Sequence, residues 1–140
     1  MTAAERDYQK LLKGLRLRHF SPQEITSYAH RPGNTLPPRA LWINIIETLW
    51  VMDHLRELLG QPITLTSIYR SPSYNRKVGG ASASQHLRNR AIDFKVRNVS
   101  PTVARNRLLK LRQAGMFKGG IGLYSTFVHV DTRGSNATWG

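Results

Sequence analysis

With 140 residues, the chain has the length of one domain, enough to bury roughly two-thirds of its unfolded surface around a single core. Its 21 Lys and Arg against 8 Asp and Glu leave a net charge of +13, which suits polyanionic surroundings: nucleic acid, an anionic cell-wall polymer or an acidic membrane surface. The lack of cysteine excludes disulfides, thiolate nucleophiles and Cys-ligated metals, while 40% hydrophobic residues exclude a disordered tail.

Tyr8, Leu11, Leu12 and Leu15 recur at helical spacing and predict a helix over residues 3–17. Ser21-Pro22-Gln23-Glu24 has the form of a capping box with proline at the first helical position, so a short helix begins there. Pro32, Gly33, Pro37 and Pro38 make residues 30–38 a loop. The longest periodic segment, residues 39–59, sets Leu41, Trp42, Ile45, Ile46, Leu49, Met52, Leu55 and Leu59 along one side and stops at Gly60. Trp42 and Trp50 on this helix are expected in the core, and Trp139 has no assigned role.

Beyond Gly60 the pattern changes. Residues 63–69 alternate and are β-branched, as a strand should be. Residues 70–85, rich in Ser, Gly and Asn, read as a long loop of the kind that carries function. A second strand follows at 91–96, a helix capped by Ser100-Pro101 runs to about residue 113, and residues 120–124 and 127–131 form a tight hairpin. The order implies an α+β fold, with N-terminal helices packed on a small, mainly antiparallel sheet. The expected division of one domain (1–140) is a helical part, 1–60, and a β-rich part, 61–133. No apolar run approaches the roughly 18–20 residues that span a bilayer. The opening residues lack a secretory pattern, so synthesis in the cytoplasm is expected.

Few residues remain for chemistry. His86 and Asp93 lie seven apart, at the end of the long loop and in the following strand. His129 and Asp131, at i and i+2 of the last strand, share one face. Two imidazoles and one carboxylate make a sound zinc set that leaves a fourth position open, the catalytic rather than the structural pattern. His19, His30 and His54 read as ordinary loop or helix residues.

The string from Ser67-Ile-Tyr-Arg70 through Asn75, Gly79-Gly80 and Ser84-Gln-His86 to Ala91-Ile-Asp93 resembles the zinc D-alanyl-D-alanine carboxypeptidase family, the LAS peptidases of bacterial peptidoglycan, which share a fold with the hedgehog signalling domain. The ending Phe127-Val-His129-Val-Asp131-Thr is similar to that family's last metal-ligand motif, and the resemblance covers residues 19–133. It implies a hedgehog-like fold, Zn2+ as cofactor, His86, Asp93 and His129 as its ligands, and Arg70 as the catalytic arginine that holds and polarises the substrate. Ser84 is expected to bind substrate or shape the loop, and Tyr124 to bind substrate through a hydrogen bond to the oxyanion.

Two departures stand out. The family usually has glycine where this chain has Asn89; asparagine is the side chain that best tolerates a left-handed turn, so the turn is expected to survive. Members also commonly carry His, Asp or Glu shortly before the last ligand, whereas residues 122–128 here hold none. Asp131 is then the only acidic residue near the metal, and it either orients His129 or takes the proton of the attacking water.

The implied function is zinc-dependent hydrolysis of peptidoglycan stem peptides, of carboxypeptidase or L,D/D,D-endopeptidase type. The basic surface would adsorb to anionic cell-wall polymers. A monomer without specific nucleic-acid binding is expected, resembling a phage or prophage endolysin that reaches the cell wall or periplasm when another protein releases it. The competing reading is a non-catalytic, zinc-stabilised wall-binding or phage structural module.

Overall fold

A computed structural model describes all residues, Met1–Gly140. Helix α1 (Ala3–Gly14) starts where the Thr2 hydroxyl accepts from the Glu5 amide, and it buries Tyr8 and Leu12. Helix α2 (Pro22–Thr26) opens on the expected capping box: the Ser21 hydroxyl accepts from the Glu24 amide at 3.1 Å, and the Ser21 amide donates to the Glu24 carboxylate at 2.7 Å. The long periodic segment divides in two. Residues Arg39–Asn44 form a 3-10 turn, and only Ile45–Leu59 is α-helical (α3), ending at a left-handed Gly60. The 3-10 turn holds Trp42 in the core, where its indole donates to the Pro37 carbonyl and stacks on Tyr8 at 4.9 Å. Trp50 is not in the core. Its residue is 55% exposed, because at 3.6 residues per turn it falls on the side of α3 away from the buried Ile45, Leu49 and Met52.

Strands β1 (Ile63–Ser67) and β2 (Ala91–Val96) flank the expected long loop. That loop contains a short helix, α4 (Pro72–Lys77), capped by Ser71, and a 3-10 turn, Gln85–Arg88. Helix α5 (Pro101–Gln113) leads to β3 (Gly120–Leu123) and β4 (Val128–Asp131), which pair as the predicted antiparallel hairpin. A further strand, β5 (Ala137–Trp139), lies parallel to β3. The sheet order is β1-β2-β4-β3-β5. Arg112 of α5 ties β5 down, donating to the Gly119 and Ala137 carbonyls and to the Thr138 hydroxyl.

Alternation gives the sheet two faces. Leu65, Ile92, Phe94, Ile121, Val128 and Val130 join residues of α1, α3 and α5 in one cluster of 21 buried residues. The opposite face carries a single row across all five strands. Ser67 faces Asp93, Asp93 faces His129, His129 faces Gly122, and Gly122 faces Trp139. An irregularity between Leu65 and Ser67 is what brings Ser67 into this register.

Asn89 ends the 3-10 turn in the left-handed region (φ 57°) and is fully buried. Its amide donates to the Tyr8 hydroxyl and the Leu41 carbonyl, tying the turn to the N-terminal helices. Asn89→Gly keeps the backbone but loses both bonds, and should cost about 1–3 kcal/mol in urea unfolding. Asn89→Ala adds a left-handed penalty of about 1–2 kcal/mol. A glycine variant as stable as the parent would show that the side-chain bonds contribute nothing.

Candidate metal centre

His86 arrives from the loop side. Ser84 caps the 3-10 turn, its hydroxyl accepting from the His86 amide at 3.2 Å, and the Arg70 amide donates to the His86 carbonyl. The imidazole Nδ1–H donates to the Ile68 carbonyl at 2.5 Å, which fixes the tautomer and leaves Nε2 with its lone pair outward. This Nε2 is buried without a hydrogen-bond donor, 3.2 Å from an oxygen of Asp93.

His129 is set the other way round. Its Nε2 meets Asp131 Oδ2 at 2.7 Å, and its Nδ1 meets Asp93 Oδ1 at 2.9 Å. Asp131 is fully buried and both its oxygens are engaged. Oδ1 accepts from the Gly120 amide and from the Arg133 amide and Nε; Oδ2 accepts from Arg133 Nη2 and from His129. Burial would raise its carboxyl, but these bonds, Arg133 foremost, hold it well below the usual carboxylate range. Asp131 therefore stays an acceptor, His129 Nε2 carries a proton, and Nδ1 is left to face the Asp93 carboxylate.

That contact is the test of fit for a metal. A lone pair and a carboxylate oxygen 2.9 Å apart need a cation or a proton between them. In the metal-free protein the proton serves: burial would lower the His129 imidazole, yet its hydrogen bonds to the Asp131 and Asp93 carboxylates raise it. Asp93, likewise pushed up by burial, is held well below the usual range by His129 and His86. The candidate donor atoms of His86, Asp93 and His129 all lie within 4.8 Å of one another, with all three residues buried. Two neutral imidazoles, one carboxylate and an unpartnered buried nitrogen suit zinc.

The site opens into a cavity of about 580 Å³. One wall is the segment from Val78 to Gln85; the other is Tyr124, Phe127, Arg133 and Trp139. Arg70 lies beside the candidate ligands, with Nε donating to Ser67, Nη1 to Asn75 and Nη2 to Asp93. A Cβ on Gly80 would fall 2.0 Å from Asn75 Oδ1 and 2.8 Å from Arg70 Nη1, so glycine there makes room for this arginine and its support.

The structure thus brings His86, Asp93, His129, Arg70, Ser84 and Tyr124 to one cleft. Asp131 is apart from them: it is sealed beneath His129, with no oxygen free to take a proton from the cavity, a geometry that fits orienting His129 and not proton transfer. Three contributors escape the sequence reading: Asn75, Arg133 and Trp139. Alternation along 129, 131 and 133 is the signal that would have found Arg133.

An α+β fold that gathers two imidazoles and a carboxylate at the floor of an open cleft has the form of a metal-binding domain with a catalytic-type site. Residues 18–131 match the profile of peptidase M15, and the chain belongs to this family. It is 36% identical over 87 residues to the peptidoglycan L,D-endopeptidase MepK of Escherichia coli K12, an overlap that covers 56% of this chain and 45% of that protein. Over 52 residues it is 39% identical to the zinc D-Ala-D-Ala carboxypeptidase of Streptomyces albus G, covering 36% of this chain and 20% of that one. The chain thus spans less than half the length of these relatives. No helix is long and apolar enough to cross a membrane.

Proposed function

We propose that this single domain hydrolyses peptide bonds in bacterial cell-wall peptides, with zinc held by His86 Nε2, Asp93 and His129 Nδ1. The observation that carries the reading is that His86 Nε2, buried and unpartnered, and His129 Nδ1 are both directed at the Asp93 carboxylate at the base of an open cavity. When bound, zinc supplies a Lewis acid that polarises the scissile carbonyl and makes water a better nucleophile at neutral pH.

The chain's own residues do the rest. The Ile68 carbonyl and Asp131 keep each imidazole in its ligating tautomer. Arg70, held by Ser67 and Asn75, presents a fixed guanidinium to a substrate carboxylate or carbonyl. Ser84 shapes the loop that delivers His86. Beyond Arg70 and Asp93 lies a second cavity of about 190 Å³, lined also by Arg31, Thr66 and Tyr74 and sharing Val78 and Phe127 with the first. Space on both sides of the centre favours a peptide that continues past the cleaved bond, hence endopeptidase over carboxypeptidase action. The net charge of +13 supports adsorption to an anionic wall, weakening as salt screens it.

The test is incubation of purified, zinc-loaded protein with peptidoglycan, with and without a chelator, and mass spectrometry of the products. Internal cleavage that the chelator abolishes is expected. Release of single terminal residues would select the carboxypeptidase mode. No cleavage with one zinc bound per chain would select the non-catalytic wall-binding module.

A further inference from the structure

We propose that Tyr124 donates a hydrogen bond to the scissile carbonyl oxygen as it gains negative charge, and that Trp139 is the positioning residue that aims it. This rests on the hydrolytic reading above. Besides the three candidate ligands, the titratable side chains lining the main cavity are Arg70, Tyr124 and Arg133. Both guanidiniums are anchored in place by hydrogen bonds of their own. Arg70 donates through Nε, Nη1 and Nη2, and Arg133 commits Nε and Nη2 to the buried Asp131. The Tyr124 hydroxyl adds a neutral O–H donor to the same cavity. Its oxygen accepts the Trp139 indole N–H at 3.0 Å, so its own O–H is directed elsewhere.

The phenol is held on two sides. Its ring stacks on Phe127 at 4.3 Å and 5°, while the indole grips its oxygen. Trp139 is itself fixed by the strand row. Gly122 separates it from His129, and a Cβ on Gly122 would strike the indole at 2.4 Å. The missing side chain lets the indole reach to 5.1 Å from the His129 ring, with the Arg133 guanidinium 5.5 Å from the indole centre. One rigid ring therefore touches a candidate metal ligand and the hydroxyl donor together. Tyr124 is 41% exposed, so stability gives little reason for a two-sided clamp there.

Tyr124→Phe should lower kcat on soluble muropeptides about 100-fold with KM nearly unchanged, the loss typical of one donor to a developing oxyanion. Trp139→Phe keeps an aromatic ring over Gly122 but removes the N–H, and should lower kcat about tenfold at unaltered zinc content. The double variant should be no slower than Tyr124→Phe alone, because Trp139 acts through the phenol. In zinc-free protein the indole N–H resonance of Trp139 should shift in Tyr124→Phe, a readout independent of turnover. Full activity in Tyr124→Phe, multiplicative losses in the double variant, or an unmoved resonance each overturn the proposal. Zinc-bound parent protein without turnover would instead overturn the hydrolytic reading, and this assignment with it.

Discussion

His86→Ala should abolish zinc retention and reduce hydrolysis about 10³-fold or more. The imidazole supplies the one buried nitrogen that no donor satisfies, so its loss leaves a carboxylate and a single nitrogen, too few to hold the ion against buffer. Lewis-acid stabilisation is worth several kcal/mol, and each 1.4 kcal/mol is tenfold in rate. The substitution also strips the Ile68 carbonyl of its donor, which should cost about 1–3 kcal/mol of stability. Metal analysis of the dialysed variant beside the parent, with peptidoglycan turnover on the same samples, checks both effects. Stoichiometric zinc in His86→Ala would remove His86 from the metal centre.

Asp131→Asn separates the two roles open to this carboxylate. In the parent, five donors converge on its two oxygens. An asparagine offers one oxygen and a competing NH₂, so the Arg133 guanidinium and His129 can no longer both be satisfied. If the oxygen stays with Arg133, the imidazole turns its proton to Nδ1 and loses its lone pair for metal. Zinc affinity should then fall about 10–100-fold, the usual range for a residue that orients a ligand. Unfolding of the zinc-free protein should become about 3 kcal/mol easier, a value near the low end for a broken buried pair because Arg133 is partly exposed. Competition with a chromogenic chelator measures the first, urea titration the second. Excess zinc should restore turnover. Parental zinc affinity with lost turnover would instead make Asp131 the proton acceptor.

Much of this centre is legible in the residues because strand alternation is a short-range rule. His129 and Asp131 can be put on one face from spacing alone, and the Ser-Pro signals at 21 and 100 each cap a helix. Helix α4 was masked because six residues are too few to show an apolar stripe. Trp50 faces solvent because position 50 lies off the stripe of Ile45, Leu49 and Met52, and tryptophan's size says nothing of its place on the wheel. Strand β5 is three residues long, too short for its alternation to stand out, and what holds it is a pairing with β3 and the side chain of Arg112, neither local in sequence. The hydrogen bonds that engage Asp131 come from Arg133 and Gly120, contacts that spacing alone does not reveal.

The short outer strand that carries Trp139 has a consequence for dynamics. Edge segments with few ladder bonds are where a native protein opens at least free energy. Trp139, one member of the cleft's aromatic wall, is therefore mounted on the part of the sheet most ready to lift away, and the latch that keeps it closed is Arg112, reaching over from α5. Loosening that latch would fray the aromatic wall while leaving the three metal-facing side chains where they are, so binding of the ion and grip on the substrate can fail separately.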